Sequence, residues 1–297
     1  MYNVQKKIIL LFLILFTFNL FADEDVFVFY SQPSSIASKF IILKDNRIFK
    51  LFLRLSQKKY RDSLGMFLVE GENLVREAIS MDMAEDILIS DDFSGVYPDI
   101  EKSEKTVFIK GNLFKRVAQT KSSQGVLATV KSTLLEKDEF VDYLKSKEGH
   151  ILILDKLQDP GNIGTILRTG EAFGYVAVVL IKGTGDVFSP KVVRAAAGSV
   201  LRMKMMMAED PRCAREVSEA SGRLPVGTLV KDAISLEDYR IQDDIALVIG
   251  NEGNGISSEM SLLTEENITI PMRGDTESLN AAVACGIIMY ETMKGRK

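Results

Sequence analysis

Leu247-Val248-Ile249-Gly250-Asn251-Glu252-Gly253-Asn254-Gly255 is the stretch on which the reading of this chain turns. An aliphatic run that ends in a cluster of glycines suits a buried parallel strand whose carboxyl end opens into a loop. Open α/β sheets take their ligands at such ends. Downstream come a second strand, Ile268-Thr269-Ile270-Pro271-Met272, a polar turn over 273–278, and a nearly uncharged helix opening at Leu279-Asn280-Ala281. Glycines let backbone groups approach a ligand without Cβ atoms in the way, and Pro271 withdraws a ladder donor at the edge of the pocket. Glu252, Ser278 and Asn280 are the residues here equipped for chemistry. Taken alone, Ser278 or Asn280 reads as a helix cap.

The same pattern occurs upstream. Ile151-Leu152-Ile153-Leu154 is a continuous apolar strand, 155–161 the loop at its end, 162–173 a helix with Asn162 near its start, and 177–181 the next parallel strand. Arg168 lies in the second turn of that helix. Its planar fork of donors suits phosphate or a polarised ribose hydroxyl, although a lone arginine is more often a surface ion-pair partner. Ser189-Pro190 is a helix-start signal that sets Lys191 and Arg194 one turn apart. Met203, Met205, Met206 and Met207 read as strand and core filling, 212–222 as a helix and 226–230 as a strand. The fold class expected is α/β, a mainly parallel C-terminal sheet domain over 150–297 preceded by a smaller α/β domain.

Residues 247–255 and 268–284 resemble the second and third motifs of the SpoU (TrmH) family of RNA ribose methyltransferases, within the SPOUT superfamily. The run Leu154-Asp155-Lys156-Leu157-Gln158-Asp159-Pro160-Gly161-Asn162-Ile163-Gly164-Thr165-Ile166-Leu167-Arg168-Thr169 resembles the first motif, in the family's order and spacing. The resemblance covers about 150 to the C-terminus, with a weaker match over 38–130. It implies a trefoil knot, an exception to the rule that chains avoid threading, and a homodimer with the site near the interface. S-adenosyl-L-methionine is the implied methyl donor, held by backbone around Gly250, Ile270 and Leu279, with no metal. The implied acceptor is a ribose 2′-OH of structured RNA, rRNA ahead of tRNA. Arg168 matches the arginine usually assigned as the base, with Ser278 and Asn280 positioning it and Glu252 organising the loop. Because arginine hardly ever deprotonates, we read Arg168 as polarising the hydroxyl and holding an adjacent phosphate. Asn162, Lys191 and Arg194 are the expected RNA contacts on this domain. A dinucleotide loop is disfavoured, since 250–255 spells GxxGxG and no GxxxxGK[ST] occurs. A non-catalytic RNA-binding protein on the same fold is the remaining rival, and the joint presence of Arg168, Glu252, Ser278 and Asn280 argues against it.

A chain of 297 residues with 46% hydrophobic composition supports two ordinary domains. Cys213 and Cys285 stand in unrelated contexts without metal-ligand spacing, and His150 is the sole histidine, which disfavours disulfide, zinc and histidine chemistry. RNA and a nucleotide-derived donor call for a cytoplasmic location. Residues 1–38 conflict with it, because a basic start and the apolar run 8–21 ending at Ala22 resemble a secretory signal. They are either a misassigned extension, with initiation near 41–43, or an added anchor or signal. Residues 39–130 read as a small α/β domain resembling the RNA substrate-binding domain often joined to SpoU catalytic domains. Between 39 and 61, Asp45 is the only acid among eight cations, although the net charge is -4. Arg47, Lys50, Arg54, Lys58 and Arg61 fall on one arc of a single helix, a basic stripe for RNA phosphate or a solvated face. Residues 115–125 offer cations, hydroxyls and glycine for phosphates. Turn chemistry is expected around Ser94, Gly95 and Pro98, and 131–149 reads as a linker with one short helix.

Overall fold

The computed structural model describes residues 22–23, 26–29, 38–41, 46–92, 100, 103–240 and 243–295. The apolar signal-like run 8–21 and the turn around Ser94, Gly95 and Pro98 lie outside the described residues. The chain divides into two units, Met1–Lys131 and Ser132–Lys297. Among the described residues, no helix is long and apolar enough to cross a membrane.

In the first unit the elements are β1 (Ala22–Asp23), β2 (Val26–Phe29), β3 (Ser38–Ile41), α1 (Arg47–Leu55), α2 (Lys58–Leu64), β4 (Met66–Glu70), α3 (Glu72–Ser80), β5 (Ala84–Ser90), β6 (Thr106–Ile109), α4 (Gly111–Val117) and β7 (Val126–Lys131). The strands form one mixed sheet in the order β1-β2-β3-β6-β5-β7-β4. Asn46 opens α1 by accepting the Ile48 and Phe49 amide protons on Oδ1, at 2.8 and 3.3 Å. Phe49, Phe52 and Leu55 bury one helical face, which leaves Arg47, Lys50 and Arg54 exposed. The single basic helix expected here is interrupted. α1 ends at Leu55, and Arg61 turns inward at 6% exposure to donate through Nη1 to the Leu55 carbonyl at 2.7 Å. A helix end needs acceptors satisfied, and Arg61 satisfies one instead of joining the stripe.

The second unit comprises α5 (Lys137–Lys145), β8 (Ile151–Leu154), α6 (Pro160–Ala172), β9 (Ala177–Ile181), α7 (Pro190–Ala196), α8 (Ser199–Arg202), β10 (Lys204–Ala208), α9 (Pro211–Ala220), β11 (Leu224–Thr228), β12 (Ile234–Ser235), β13 (Ile245–Ile249), α10 (Ser258–Ser261), β14 (Glu266–Thr269) and α11 (Ala281–Gly295). Its sheet runs β10-β9-β8-β13-β11-β14-β12, and every pairing in it is parallel. β8, β9 and β13 are buried along their whole length, as continuous aliphatic runs require when both faces of a sheet are covered. The chain winds outward from β8 through β9 to β10 and then returns to the other side through β11 and β13. β8 and β13 therefore flank a topological switch point, and their C-terminal loops 155–161 and 250–257 lie side by side.

Residues 132–148 are not a linker. They belong to the second unit, and Phe140, Val141 and Leu144 of α5 enter its core. Charge masks this in the sequence, but the apolar residues recur at helical spacing on the inner face. Arg223, 2% exposed, locks the segment by donating to the carbonyls of Gly149 at 2.7 Å, Leu144 at 3.3 Å, Ser221 at 3.0 Å and Lys147 at 2.6 Å. His150 is also structural: buried, it accepts the Ile245 amide proton on Nδ1 at 3.1 Å. Met205 and Met206 fill the core as expected, whereas Met207 is 42% exposed.

Candidate active site

α6 begins two residues before the expected start. Asp159 is its N-cap, accepting the Asn162 amide proton at 2.9 Å, and Pro160 occupies the first turn, where its missing N–H costs nothing. Asn162 is thereby held in the first turn, facing the neighbouring loops. Gly164 lets α7 pack close, since a Cβ there would stand 2.4 Å from that of Ala195 and 2.9 Å from the Val192 carbonyl oxygen. That packing brings Lys191 to 3.9 Å from Asp159. Arg194 is exposed, and its guanidinium has no hydrogen-bond or ion-pair partner among the described residues.

The three loops meet at side chains. Glu252, from the loop after β13, accepts the backbone N–H of Gln158 at 3.1 Å and of Asp159 at 2.8 Å, and the Asn162 amide at 3.1 Å. Asn280 donates its amide to Asn162 Oδ1 at 3.0 Å. Asn280 Oδ1 in turn accepts the N–H groups of Ala282 and Val283 at 2.9 and 3.3 Å, capping α11. The polarity of this chain is dictated from both ends. A carboxylate only accepts and a helix N-terminus only donates, so each asparagine between them has one possible orientation. Burial raises the Glu252 carboxyl, but the hydrogen bonds from Asp159, Asn162 and Gln158 outweigh it and hold its pKa below the ordinary carboxylate value.

Asn162, expected as an RNA contact, is 9% exposed with its side chain committed to Glu252 on one side and Asn280 on the other, so that it bridges the motifs. Asp159-Pro160 was the available signal for where its helix begins. Further ties, which sequence reading did not assign, close the same loops. Asn251 donates to the Lys156 carbonyl at 3.0 Å and accepts the N–H groups of Gly253 and Asn254 at 3.0 and 3.2 Å. Asp155, 1% exposed, accepts the Ser257 N–H at 2.6 Å.

Ile270 and Leu279 line a cleft of about 100 Å³ at the C-terminal ends of β11 and β14, with Val230, Met272 and Ile288 contributing apolar wall and Ser278 standing exposed at it. It is an apolar slot between strand ends, edged by backbone. Gly250 is outside this lining, and its lack of a side chain has another cause. A Cβ there would stand 2.1 Å from the Gly255 and Ile256 backbone, where Asn251 and Gly255 exchange two backbone hydrogen bonds of 2.8 Å. The glycine lets the loop close on itself.

Arg168 is exposed and meets no hydrogen-bond or ion-pair partner among the described residues. It lies six residues beyond Asn162 on α6, roughly 9 Å along the axis and about 120° around it, so it is separate from the Glu252, Asn162, Asn280 network within one chain. A trough of about 700 Å³ runs between α6 and α11, polar at Asn162 and Asn280 and apolar at Phe173, Val283, Ile287 and Tyr290.

The SpoU rRNA Methylase family matches residues 149–290, and the MRM3-like substrate binding domain matches residues 46–128. The 23S rRNA (guanosine(2553)-2′-O)-methyltransferase RlmP of Bacillus subtilis (strain 168) is 32% identical over 246 residues, covering 82% of this chain and 95% of that protein. The AdoMet-bound rRNA methyltransferase from Sinorhizobium meliloti superposes with a TM-score of 0.75 at 26% identity, over 88% of this chain and 99% of that one. The SpoU methyltransferase AviRb from Streptomyces viridochromogenes, in complex with the cofactor AdoMet, gives 0.75 at 26%, over 84% and 98%. With its three loops joined at the switch point of a parallel sheet, the chain belongs to the SpoU (TrmH) family of S-adenosylmethionine-dependent RNA 2′-O-methyltransferases.

Proposed function

We propose that the protein methylates a ribose 2′-OH of ribosomal RNA in the cytoplasm, working as a knotted homodimer. The observation that carries this reading is the hydrogen-bonded chain from Glu252 through Asn162 to Asn280, which ties the ends of β8 and β13 to the start of α11 beside the apolar cleft. S-adenosylmethionine supplies, when bound, a methyl group on a good leaving group, so the protein has to orient the hydroxyl and receive its proton. Ile270 and Leu279 hold the donor, while Gly250 serves by shaping the loop. Ser278, exposed beside the cleft, orients the acceptor, and Arg168 polarises its hydroxyl and holds the adjacent phosphate. Lys191 and Arg194 on α7, and Arg47, Lys50 and Arg54 on α1, contact phosphates.

Dimerisation is supported by α11. Ala282, Cys285, Ile288 and Met289 are buried, yet Val283, Ile287 and Tyr290 are 53%, 39% and 47% exposed on the opposite face. A helix apolar all round requires cover on both sides. A second copy over the α6–α11 trough supplies that cover and lets Arg168 of one copy complete the pocket of the other. Ribosomal RNA is favoured over tRNA by the likeness to RlmP and to the Sinorhizobium enzyme. The test is mass spectrometry of nuclease digests after incubation with donor and either rRNA or tRNA transcripts. A 2′-O-methylated nucleotide from rRNA is expected; a methylated base, or methyl only in tRNA, refutes the assignment.

A further inference from the structure

The first unit carries a cleft of about 500 Å³ that the active site does not use, bounded by the end of α4, the loop 118–125 and the turn at Asp92. Its size is within the range of about 300–1,000 Å³ typical of small-ligand pockets. Phe114 and Ala118 give it an apolar part, Lys115 and Lys121 a cationic wall, and Asp92 an anionic one. Among the described residues, none of these three charged groups has a hydrogen-bond or ion-pair partner. The loop itself is firmly held. Glu70 accepts the Gln119 N–H at 2.7 Å and the Thr120 hydroxyl at 2.6 Å, and Gln124 Oε1 accepts the Glu72 N–H at 2.9 Å. The cleft is therefore preformed, with little ordering left to a ligand.

We infer that this cleft seats one unpaired nucleotide of the RNA substrate, its phosphate on Lys115 and Lys121, its base against Ala118 with the buried Phe114 as the floor beneath, and an amino group of the base donating to Asp92. The inference rests on the RNA-methyltransferase reading above and deepens it. Two cations alone suit any phosphate, but a free carboxylate opposite them repels a bare anion and accepts only from a donor. A nucleotide carrying guanine, cytosine or adenine presents both an anionic end and an exocyclic amino donor, whereas uracil places a carbonyl oxygen, which a carboxylate repels, where cytosine carries its amino group. Bases within a duplex are stacked, so concave sites of this kind read loops and bulges. The site adjoins other cations on the same helix, since Arg116 of α4 lies 5.4 Å over the Phe49 ring of α1.

The test uses the full chain and fluorescent RNA hairpins sharing one stem, with a cytidine loop or a uridine loop, beside the fully paired duplex, in anisotropy titrations across a salt series. The wild-type protein is expected to bind the cytidine-loop hairpin best. Lys115→Ala with Lys121→Ala should weaken it by about tenfold and make the salt slope shallower by roughly 1–2, with a smaller effect on the duplex. Asp92→Ala should erase the preference for cytidine over uridine and leave the salt slope in place. A circular dichroism spectrum and a thermal melt matching those of the wild type show that each variant is folded. The inference is overturned if the double variant keeps wild-type affinity and slope, if duplex and hairpin lose affinity equally, or if Asp92→Ala keeps the cytidine preference. Failure of the underlying reading is distinct: the wild-type chain would then transfer no methyl group to RNA, whatever its hairpin affinities.

Discussion

Replacing Asn162 by Asp tests the three-loop network with almost no change of shape. One oxygen still accepts from Asn280, but the other now faces Glu252 Oε1 where an amide donor stood at 3.1 Å. Two like charges at that separation repel by about 5 kcal/mol at an effective dielectric constant near 20. Glu252 is exposed, so water screens much of this, and a net destabilisation of about 1–3 kcal/mol is expected. The like-charged pair raises the carboxyl pKa in the folded state. The penalty is thus present above that raised value and relieved as pH falls through it, when one proton restores a donor between the two oxygens. Urea unfolding of N162D and wild type over about pH 5 to 8 should show the gap widening toward high pH. Methyl transfer at neutral pH should fall by at least about tenfold, because the start of α11 shifts relative to the other loops. The double variant N162D/E252Q, which places an amide donor opposite the new carboxylate, should recover part of the stability. Equal stability and activity of N162D and wild type at neutral pH would refute the bridging role.

Arg168→Ala should abolish methyl transfer while leaving most RNA affinity in filter binding; substantial transfer by this variant would remove it from the chemistry. In Ile287→Glu, a charge on the exposed face of α11 should shift the protein to monomer in sedimentation and reduce transfer, and an unchanged sedimentation coefficient would count against that interface. Arg223→Ala takes the donor from four carbonyls at once, those of Gly149 and Leu144 in buried bonds, and should lower the unfolding free energy by about 2 kcal/mol or more; a loss below about 1 kcal/mol would show that they find other partners. Glu252 has a depressed folded pKa, so its contribution is complete above the ordinary glutamate value and lost as pH falls below it. E252Q should therefore be less stable than wild type at neutral pH, with the difference shrinking in acid on calorimetric melting.

The buried strands of the catalytic unit were legible in the sequence, because an unbroken aliphatic run such as 151–154 or 245–249 has few alternatives to a covered parallel strand. So was the glycine loop after β13, where a cluster of small residues ends an aliphatic strand. The role of Asn162 was not. It depends on Glu252 and Asn280, 90 and 118 residues away, and they become its neighbours only because the strand order reverses between β8 and β13. Local pattern also failed where a tertiary partner outweighed it. The basic arc from Arg47 to Arg61 is continuous only on an unbroken helix, and the Leu55 carbonyl draws Arg61 inward. The charged run 131–149 looked like a linker until the second unit's core took up Phe140 and Leu144. Periodicity is set by residues three or four apart, whereas the neighbours of a polar side chain are set by non-local strand pairing, and the site is made of polar side chains.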